Sequence, residues 1–368
     1  MDGQSHHIGL APGQLPFLIF CFKEDYRITG DDRKCPPGKK DGDRHFLSSD
    51  GGKVEEISIV ITSSMNLSQL ESALKSHVAT LCASERNTGN CPEGLERAAH
   101  YLAGAFQGLD YQVSRQEFRA DGVLCANVEA LPSTFVGYDK PHYIIGAHYD
   151  SAPGTPGADD NASAVAILLE LARLCAGKPY AKSLRFVAFA NEEPPHFCTP
   201  NMGSVVHAKS CRQRDENIAG MICLESLGVF TNEPDSQSLG LIGFLGIPEE
   251  LNNFCRLSGV DPTIGNFLAI VGNEISRDFM DSFDAGLERD DHLPVLSTDF
   301  LGDFLRLSDH LSYWDEGYPA IMLTDTAMCR NTHYHRSSDT PEKLNYHRMA
   351  LLTRRIATAV EALHKQQA

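Results

Sequence analysis

The sequence has no long hydrophobic run and no excess of positive charge. Its apolar stretch at residues 15–22 ends at Lys23 and Glu24, whereas a membrane-spanning helix needs about 20 apolar residues. That stretch also lacks a basic leader and a small-residue cleavage site, so we expect neither a secretory signal nor membrane association. Lysine and arginine number 32 against 49 acidic residues, a net charge of −17. This acidity argues against binding to nucleic acid or to anionic membranes.

No C-x-x-C pair occurs among the 11 cysteines, which argues against a zinc ribbon and a thioredoxin-type motif. Several cysteines lie in apolar segments, as Cys223 does, where a buried free thiol is the usual state. Cys82 and Cys91 are the pair whose spacing suggests a disulfide. The scattered, odd count favours a reducing compartment, and we predict a cytoplasmic location.

Residues 1–60 differ in composition from the rest of the chain. They are rich in glycine and charged residues and contain a loop signature at 35–42, so we expect an N-terminal extension rather than a folded domain. Over 61–368 the pattern is regular and predicts one domain. Apolar residues recur with helical spacing at 67–81.

Short apolar runs alternate with helical patterns along this domain. Those at 143–147, 184–190 and 218–224 are typical of strands buried on both faces. Strands and helices in this rhythm predict an α/β fold. Ligands of such folds bind at the carboxyl ends of the strands, which is where polar clusters follow in this sequence. The clusters are His148 with Asp150, Asp159 with Asp160, Glu192 with Glu193, Glu225, Asp309 with His310, and Tyr334-His335 with Asp339.

Each cluster alone has a simpler explanation. Asp159-Asp160 could cap a helix, Glu192-Glu193 could form a solvated turn, and His335 could belong to a polar surface loop. Together, however, so many carboxylates at one sheet edge are costly unless cations neutralise them. Mixed imidazole and carboxylate ligands suit zinc, with cobalt or manganese as substitutes. The set fits two ions that share one bridging carboxylate and a water.

The clusters resemble, in content and order, the motifs of peptidase family M28. The resemblance spans residues 66–365, and it rests on motifs that occur together in the family's order. The strings that carry it are His148-Tyr149-Asp150-Ser151, Pro156-Gly157-Ala158-Asp159-Asp160-Asn161-Ala162-Ser163, Asn191-Glu192-Glu193-Pro194-Pro195, Met202-Gly203-Ser204, Ser308-Asp309-His310 and Tyr334-His335 ending in Asp339-Thr340. Members are zinc aminopeptidases, with carboxypeptidases and glutaminyl cyclases as relatives. The resemblance implies an M28-type domain over 61–368, with a three-layer α/β/α fold around a mixed, mostly parallel sheet.

The resemblance also implies the ligands of two zinc ions. His148 and Glu225 would bind one ion, Glu193 and His335 the other, and Asp160 would bridge them. Glu225 stands where several relatives have aspartate, and its longer side chain still ligates zinc in the family. A cis peptide bond is expected after Asp160, as in relatives.

Four further residues receive roles from the same resemblance. Glu192 matches the general base, and Asp150 would orient His148 through the other ring nitrogen. Tyr334 would donate its hydroxyl to the oxyanion. Asp309 either lines the substrate pocket or caps the helix that begins there.

The function implied is hydrolysis of the first peptide bond of peptides with a free amino terminus. The first alternative is a single-zinc glutaminyl cyclase, against which the acidic residue Asp159 before Asp160 argues, since cyclases tend to lack it. The second is a non-catalytic binding protein of the same fold. Side-chain preference and oligomeric state stay open.

Overall fold

The computed structural model describes residues 66–238, 248–289, 293–299 and 305–367. The extension predicted over 1–60 lies outside the described residues. The helices are α1 (Leu67–Leu81), α2 (Pro92–Gln107), α3 (Ala164–Cys175), α4 (Gly203–Gln213), α5 (Pro248–Leu257), α6 (Arg277–Gly286), α7 (His310–Asp315) and α8 (Tyr346–Gln367). Within these ranges, no helix is both long enough and apolar enough to cross a bilayer.

Eight strands of the described chain form one mixed sheet, in the order β1-β2-β4-β3-β5-β8-β6-β7. The strands are β1 (Tyr111–Ala120), β2 (Val123–Pro132), β3 (His142–His148), β4 (Leu184–Phe189), β5 (Ile218–Glu225), β6 (Leu268–Val271), β7 (Val295–Thr298) and β8 (Ala320–Thr324). Pairing is parallel from β4 through β3 and β5 to β8 and between β6 and β7. It is antiparallel at β1-β2, β2-β4 and β8-β6. The predicted α/β fold with a mixed, mostly parallel sheet is confirmed.

The central strands β3, β4 and β5 are buried on both faces, which gives the fold its three layers. Successive residues of a strand point to opposite faces, so Ile145 of β3 packs in one core and Ile144 in the other. Helices α1, α2, α3, α6 and α8 contribute to the first core, and helices α4 and α7 to the second. Strands covered in this way are mostly apolar, which explains the hydrophobic runs of β3, β4 and β5.

Local sequence signals account for the helices nearest the site. Asn66 and Gln69 form a reciprocal capping box at the start of α1, whose buried face is Leu70, Leu74, Val78 and Leu81. Helix α2 begins with Pro92, at the first position of a helix, where proline is favoured.

The disulfide suggested between Cys82 and Cys91 is wrong, because Cys82 carries a free thiol. The segment between the two cysteines contains an isolated antiparallel bridge between Asn87 and Cys91. It also contacts the loop after β3, where the main-chain amide of Ser151 donates to the carbonyl oxygen of Arg86.

Candidate metal centre

The carboxyl ends of three neighbouring parallel strands meet at one edge of the sheet. His148 is the last residue of β3 and Glu225 the last residue of β5. Glu192 and Glu193 follow the end of β4, which pairs with β3 in parallel register. Because the strands are parallel neighbours, their carboxyl ends lie side by side, and these side chains converge although they are far apart in the sequence.

Two loops complete the cluster. Asp160 lies in a π-helical turn, Ala158–Ser163, between β3 and α3, and the peptide bond from Asp160 to Asn161 is cis, as the resemblance implies. His335 lies between β8 and α8 with a positive φ of 55°. Both loops start or end near the same sheet edge and bring their side chains over it.

The five predicted ligands form two groups that share Asp160. The Nε2 atom of His148 lies 3.3 Å from Oδ1 of Asp160 and 3.3 Å from Oε2 of Glu225. The Nε2 atom of His335 lies 3.0 Å from Oδ2 of Asp160 and 3.1 Å from Oε2 of Glu193. In each group the candidate ligand atoms all lie within 4.8 Å of one another. One carboxylate therefore presents one oxygen to each group.

These residues fit a pair of zinc ions. Donor atoms bound tetrahedrally to one zinc at about 2.1 Å are about 3.4 Å apart, close to the nitrogen-to-oxygen separations in both groups. The Nε2 atoms of His148 and His335 make no hydrogen bond within the described part of the chain. Buried imidazole nitrogens that face carboxylate oxygens in this way have the arrangement of metal ligands.

Burial and charge perturb the acids and bases of the cluster strongly. Burial raises the pKa of Glu192 well above its usual range, and nearby Glu225 adds to the effect. Burial, assisted by the charge of Asp160, raises the pKa of Glu193 to about 7. Burial would lower the pKa of His335, but the charge of Glu193 raises it to about 11. The cluster thus carries crowded negative charge that dications would stabilise.

Asp150 joins the two strand ends that carry the cluster. Its Oδ1 atom lies 3.3 Å from Nδ1 of His148 and accepts a hydrogen bond from the amide of Glu192 at 3.1 Å. Its Oδ2 atom accepts from the amide of Glu193 at 3.0 Å. The position agrees with the orienting role predicted from the sequence, which stays a prediction.

Two serine hydroxyls hold the carboxylate of Glu225. Ser226 donates to Oε1 at 2.9 Å and Ser308 donates to Oε2 at 2.6 Å. Sequence reasoning assigned no role to either serine. The Ser308-Asp309-His310 string was a signal for Ser308, but the adjacency of Ser226 to Glu225 carries no recognisable pattern.

Asp339 holds the turn that carries Asp160. Its carboxylate accepts hydrogen bonds from the amides of Asp159, at 3.1 Å, and Asp160, at 3.3 Å. Asn331 donates to the carboxylate of Asp159 at 3.0 Å. Asp159 is therefore a buried structural acid beside the cluster, and the capping explanation for the Asp159-Asp160 pair does not describe the contacts seen.

The remaining predicted residues surround the two groups. Oε2 of Glu192 lies 3.8 Å from Nε2 of His148. The ring of Tyr334 stacks on the imidazole of His335 at 4.0 Å between centroids. Asp309 precedes α7 without a capping hydrogen bond from its side chain. It is fully buried, and its carboxylate oxygens have no hydrogen-bond partner among the described residues.

Sequence comparison identifies the family. A model described as Peptidase family M28 matches residues 132–256. The uncharacterized protein YfbL of Escherichia coli (strain K12) is 37% identical over 268 residues, which cover 70% of this chain and 77% of that protein. The chain belongs to peptidase family M28. The matched segment contains four of the five predicted ligands of this M28 chain, and His335 lies beyond it.

Solved structures share the fold of the M28 chain. A zinc aminopeptidase from Bacillus subtilis has a TM-score of 0.57 at 14% identity, over 80% of this chain and 94% of that one. A glutaminyl cyclase from Fimbriiglobus ruber has a TM-score of 0.51 at 20% identity, over 79% of this chain and 95% of that one. At these identities the likeness shows a common fold, which two different activities share.

Proposed function

We propose that this M28 chain is a zinc-dependent aminopeptidase. The observation that carries the proposal is Asp160, whose two carboxylate oxygens lie 3.3 Å from the ring nitrogen of His148 and 3.0 Å from that of His335. A carboxylate shared in this way suits a two-metal hydrolytic centre. The zinc aminopeptidase of the same fold supports the choice of metal and reaction.

Two zinc ions would be held by the two groups. His148, Glu225 and Asp160 would bind one ion, and Glu193, His335 and Asp160 the other; cobalt or manganese would be the substitutes. When bound, the ions lower the pKa of a water and polarise the carbonyl of the substrate.

Glu192 is the proposed proton carrier. Its carboxylate lies beside the first group and outside the ligand pairs, 3.8 Å from Nε2 of His148. In the proposed reaction Glu192 accepts the proton of the attacking water while the oxygen bonds to the carbonyl carbon. Glu192 then gives that proton to the amine as the carbon–nitrogen bond breaks. The products are the amino-terminal residue and the shortened peptide.

Tyr334 and the surrounding acids have proposed roles toward the substrate. The hydroxyl of Tyr334, next to His335, would donate a hydrogen bond to the negative oxygen that develops on the carbonyl. The excess of buried carboxylates attracts the α-ammonium group of a peptide with a free amino terminus. Lining of the substrate pocket by Asp309 stays a proposal; its side chain is fully buried.

A glutaminyl cyclase is the second candidate, because an enzyme of that name shares the fold. The test incubates the full chain with zinc and offers leucyl-anilide, its amino-acetylated form and a glutaminyl peptide. Release of aniline from the free-amino substrate alone supports the aminopeptidase. Release of ammonia from the glutaminyl peptide without hydrolysis supports the cyclase. Chelator-insensitive peptide binding without any turnover supports a non-catalytic binding protein.

A further inference from the structure

Arg86 is one of the largest fully buried side chains, with 1% of its surface exposed. Its guanidinium donates to main-chain carbonyl oxygens that come from two distant parts of the chain. Nη1 donates to Leu81 at the end of α1 at 2.9 Å, and to Pro156 at 2.6 Å. Nε donates to Tyr149 at 2.7 Å, and Nη2 to Gly157 at 3.0 Å. The planar fork thus spans both ends of the segment 149–157.

The backbone next to the guanidinium holds the middle of the same segment. The amide of Arg86 donates to Oγ of Ser151 at 3.1 Å, and the amide of Ser151 donates back to the carbonyl oxygen of Arg86 at 3.0 Å. Glu85 accepts a hydrogen bond from the amide of Gly154 at 3.0 Å. Residues 85 and 86 therefore contact the segment at its start, middle and end.

Gly157 allows the guanidinium to come this close. Its φ is +58°, and a Cβ at that position would lie 3.0 Å from Nη2 of Arg86 and 2.4 Å from the carbonyl oxygen of Asp160. The contact with the backbone oxygen of Asp160 is closer than a Cβ tolerates, the one with Arg86 is tight, and the positive φ also favours glycine there. The guanidinium is packed against the residue that leads into the turn carrying Asp160.

Segment 149–157 connects two proposed ligands of the metal centre, His148 and the shared Asp160. It begins directly after His148, includes Asp150 and ends three residues before Asp160. The amide of Ala152 donates to Oε1 of Glu193 at 3.0 Å. A shift of this segment would therefore move the carboxylate of Asp160, which both groups share, and that of Glu193, which belongs to the second group.

We propose that Arg86 is a positioning residue of the metal centre, which it stabilises by fixing segment 149–157. This inference rests on the proposed function, since it concerns the retention of the proposed zinc ions. A lysine at position 86 keeps the charge, but its single ammonium cannot reach acceptors on both ends of the segment. Arg86 lies outside the stretch that matches the family model, residues 132–256.

The test measures zinc affinity and stability of the full chain side by side. The variants are Arg86→Lys, Arg86→Met and Glu85→Ala, and zinc dissociation constants come from competition with a chromogenic chelator. We expect Arg86→Lys and Arg86→Met to weaken zinc binding by roughly 10–100-fold, the usual effect of losing support around ligands. Glu85→Ala removes only one hydrogen bond to the segment, that from Gly154, so it should weaken zinc binding less but in the same direction.

Arg185→Lys is the matched control. Arg185 is also a fully buried arginine, but it pairs with Glu129 and Glu216 and starts from the opposite end of β4. Arg185→Lys should lower the urea midpoint of unfolding and leave the zinc dissociation constant unchanged.

The outcomes separate the two proposals. If the wild-type chain binds no zinc, the proposed function fails. If the wild-type chain binds two ions and folded Arg86→Lys binds them with unchanged affinity, the role of Arg86 is wrong even though the function stands. Should both Arg86 variants fail to fold, Glu85→Ala decides: an unchanged zinc affinity in that variant overturns the inference.

Discussion

The carboxylate of Asp150 accepts a hydrogen bond from the main-chain amide of Glu193, 3.0 Å away across two neighbouring strands. Its other oxygen accepts from Glu192 and lies beside Nδ1 of His148. One buried side chain thus links an imidazole to the turn that carries both glutamates. This linkage makes Asp150 a sensitive point for the geometry of the whole centre.

We expect Asp150→Asn to lower both zinc affinity and peptidase activity by about 10–100-fold. An asparagine has one acceptor oxygen, so its NH₂ group would face one of the main-chain donors and leave it unpaired. The matched control is Asp139→Asn, at an exposed aspartate before β3. Wild-type zinc affinity and activity in Asp150→Asn would contradict the orienting role.

Glu192→Gln separates chemistry from metal binding. Because Glu192 lies outside the ligand pairs, the variant should keep the zinc content of the wild type while kcat falls by about 10²–10⁴-fold. Elemental analysis and initial rates on the leucyl substrate measure the two effects. Glu117→Gln, at an exposed residue of β1, is the control. Near-normal turnover in Glu192→Gln would rule out its role as proton carrier.

His335→Ala tests the second group of ligands. Its removal leaves Asp160 and Glu193 without their imidazole partner, so we expect the bound zinc to fall from two ions per chain toward one. His333→Ala is a matched control two residues away, where the ring contacts the hydroxyl of Ser338 instead of the cluster. Equal zinc loss in both variants would mean that the effect is not specific to the proposed ligand.

Much of the fold could be predicted because local signals were strong. The helix predicted at 67–81 has those bounds in the structure, since its apolar spacing is regular and Asn66 caps it. The strand predicted at 143–147 extends by one residue at each end. By contrast β7, at Val295–Thr298, is a four-residue edge strand; its burial alternates in the structure, but its sequence has no alternation of apolar and polar residues that would predict it.

The candidate site also contains residues that the sequence predicts and residues that it does not. The proposed ligands could be found because each ends a buried strand or stands in a recognisable string, and the structure brings all five together. Arg86 could not be found, because its partners are main-chain carbonyl oxygens up to 71 residues away. Such acceptors exist at every residue, so they leave no mark in the sequence.

A buried ion pair at the far end of the sheet predicts acid sensitivity. Arg185 donates to Glu129 at 2.7 Å. Burial would raise the pKa of Glu129, but His207 and the charge of Arg185 lower it well below its ordinary value. A lowered pKa means that the pair stabilises the fold above the unfolded-state pKa, near 4.5, and that this contribution is lost as the pH falls below it.

Glu129→Gln measures that contribution. At pH 7 the variant should unfold with a free energy lower than the wild type by up to about 3–5 kcal/mol, because the buried charge of Arg185 loses one of its two carboxylate partners and keeps Glu216. The difference should shrink between about pH 5 and pH 3, because the carboxylate of the unfolded chain takes up its proton in roughly this range. Urea unfolding of both proteins at pH 7, pH 5 and pH 3 measures this difference in free energy. A difference that does not change with pH would contradict a stabilising charge on Glu129.

The number of divalent ions held by each chain tests the proposed centre most directly. The purified full chain is loaded with zinc, freed of excess metal by gel filtration and examined by elemental analysis, with Asp160→Asn beside it. We expect two zinc ions per chain in the wild type and fewer in the variant, because Asp160 serves both groups. A wild-type chain that retains one ion or none, or a variant that still holds both, would contradict a pair of dications bridged by Asp160.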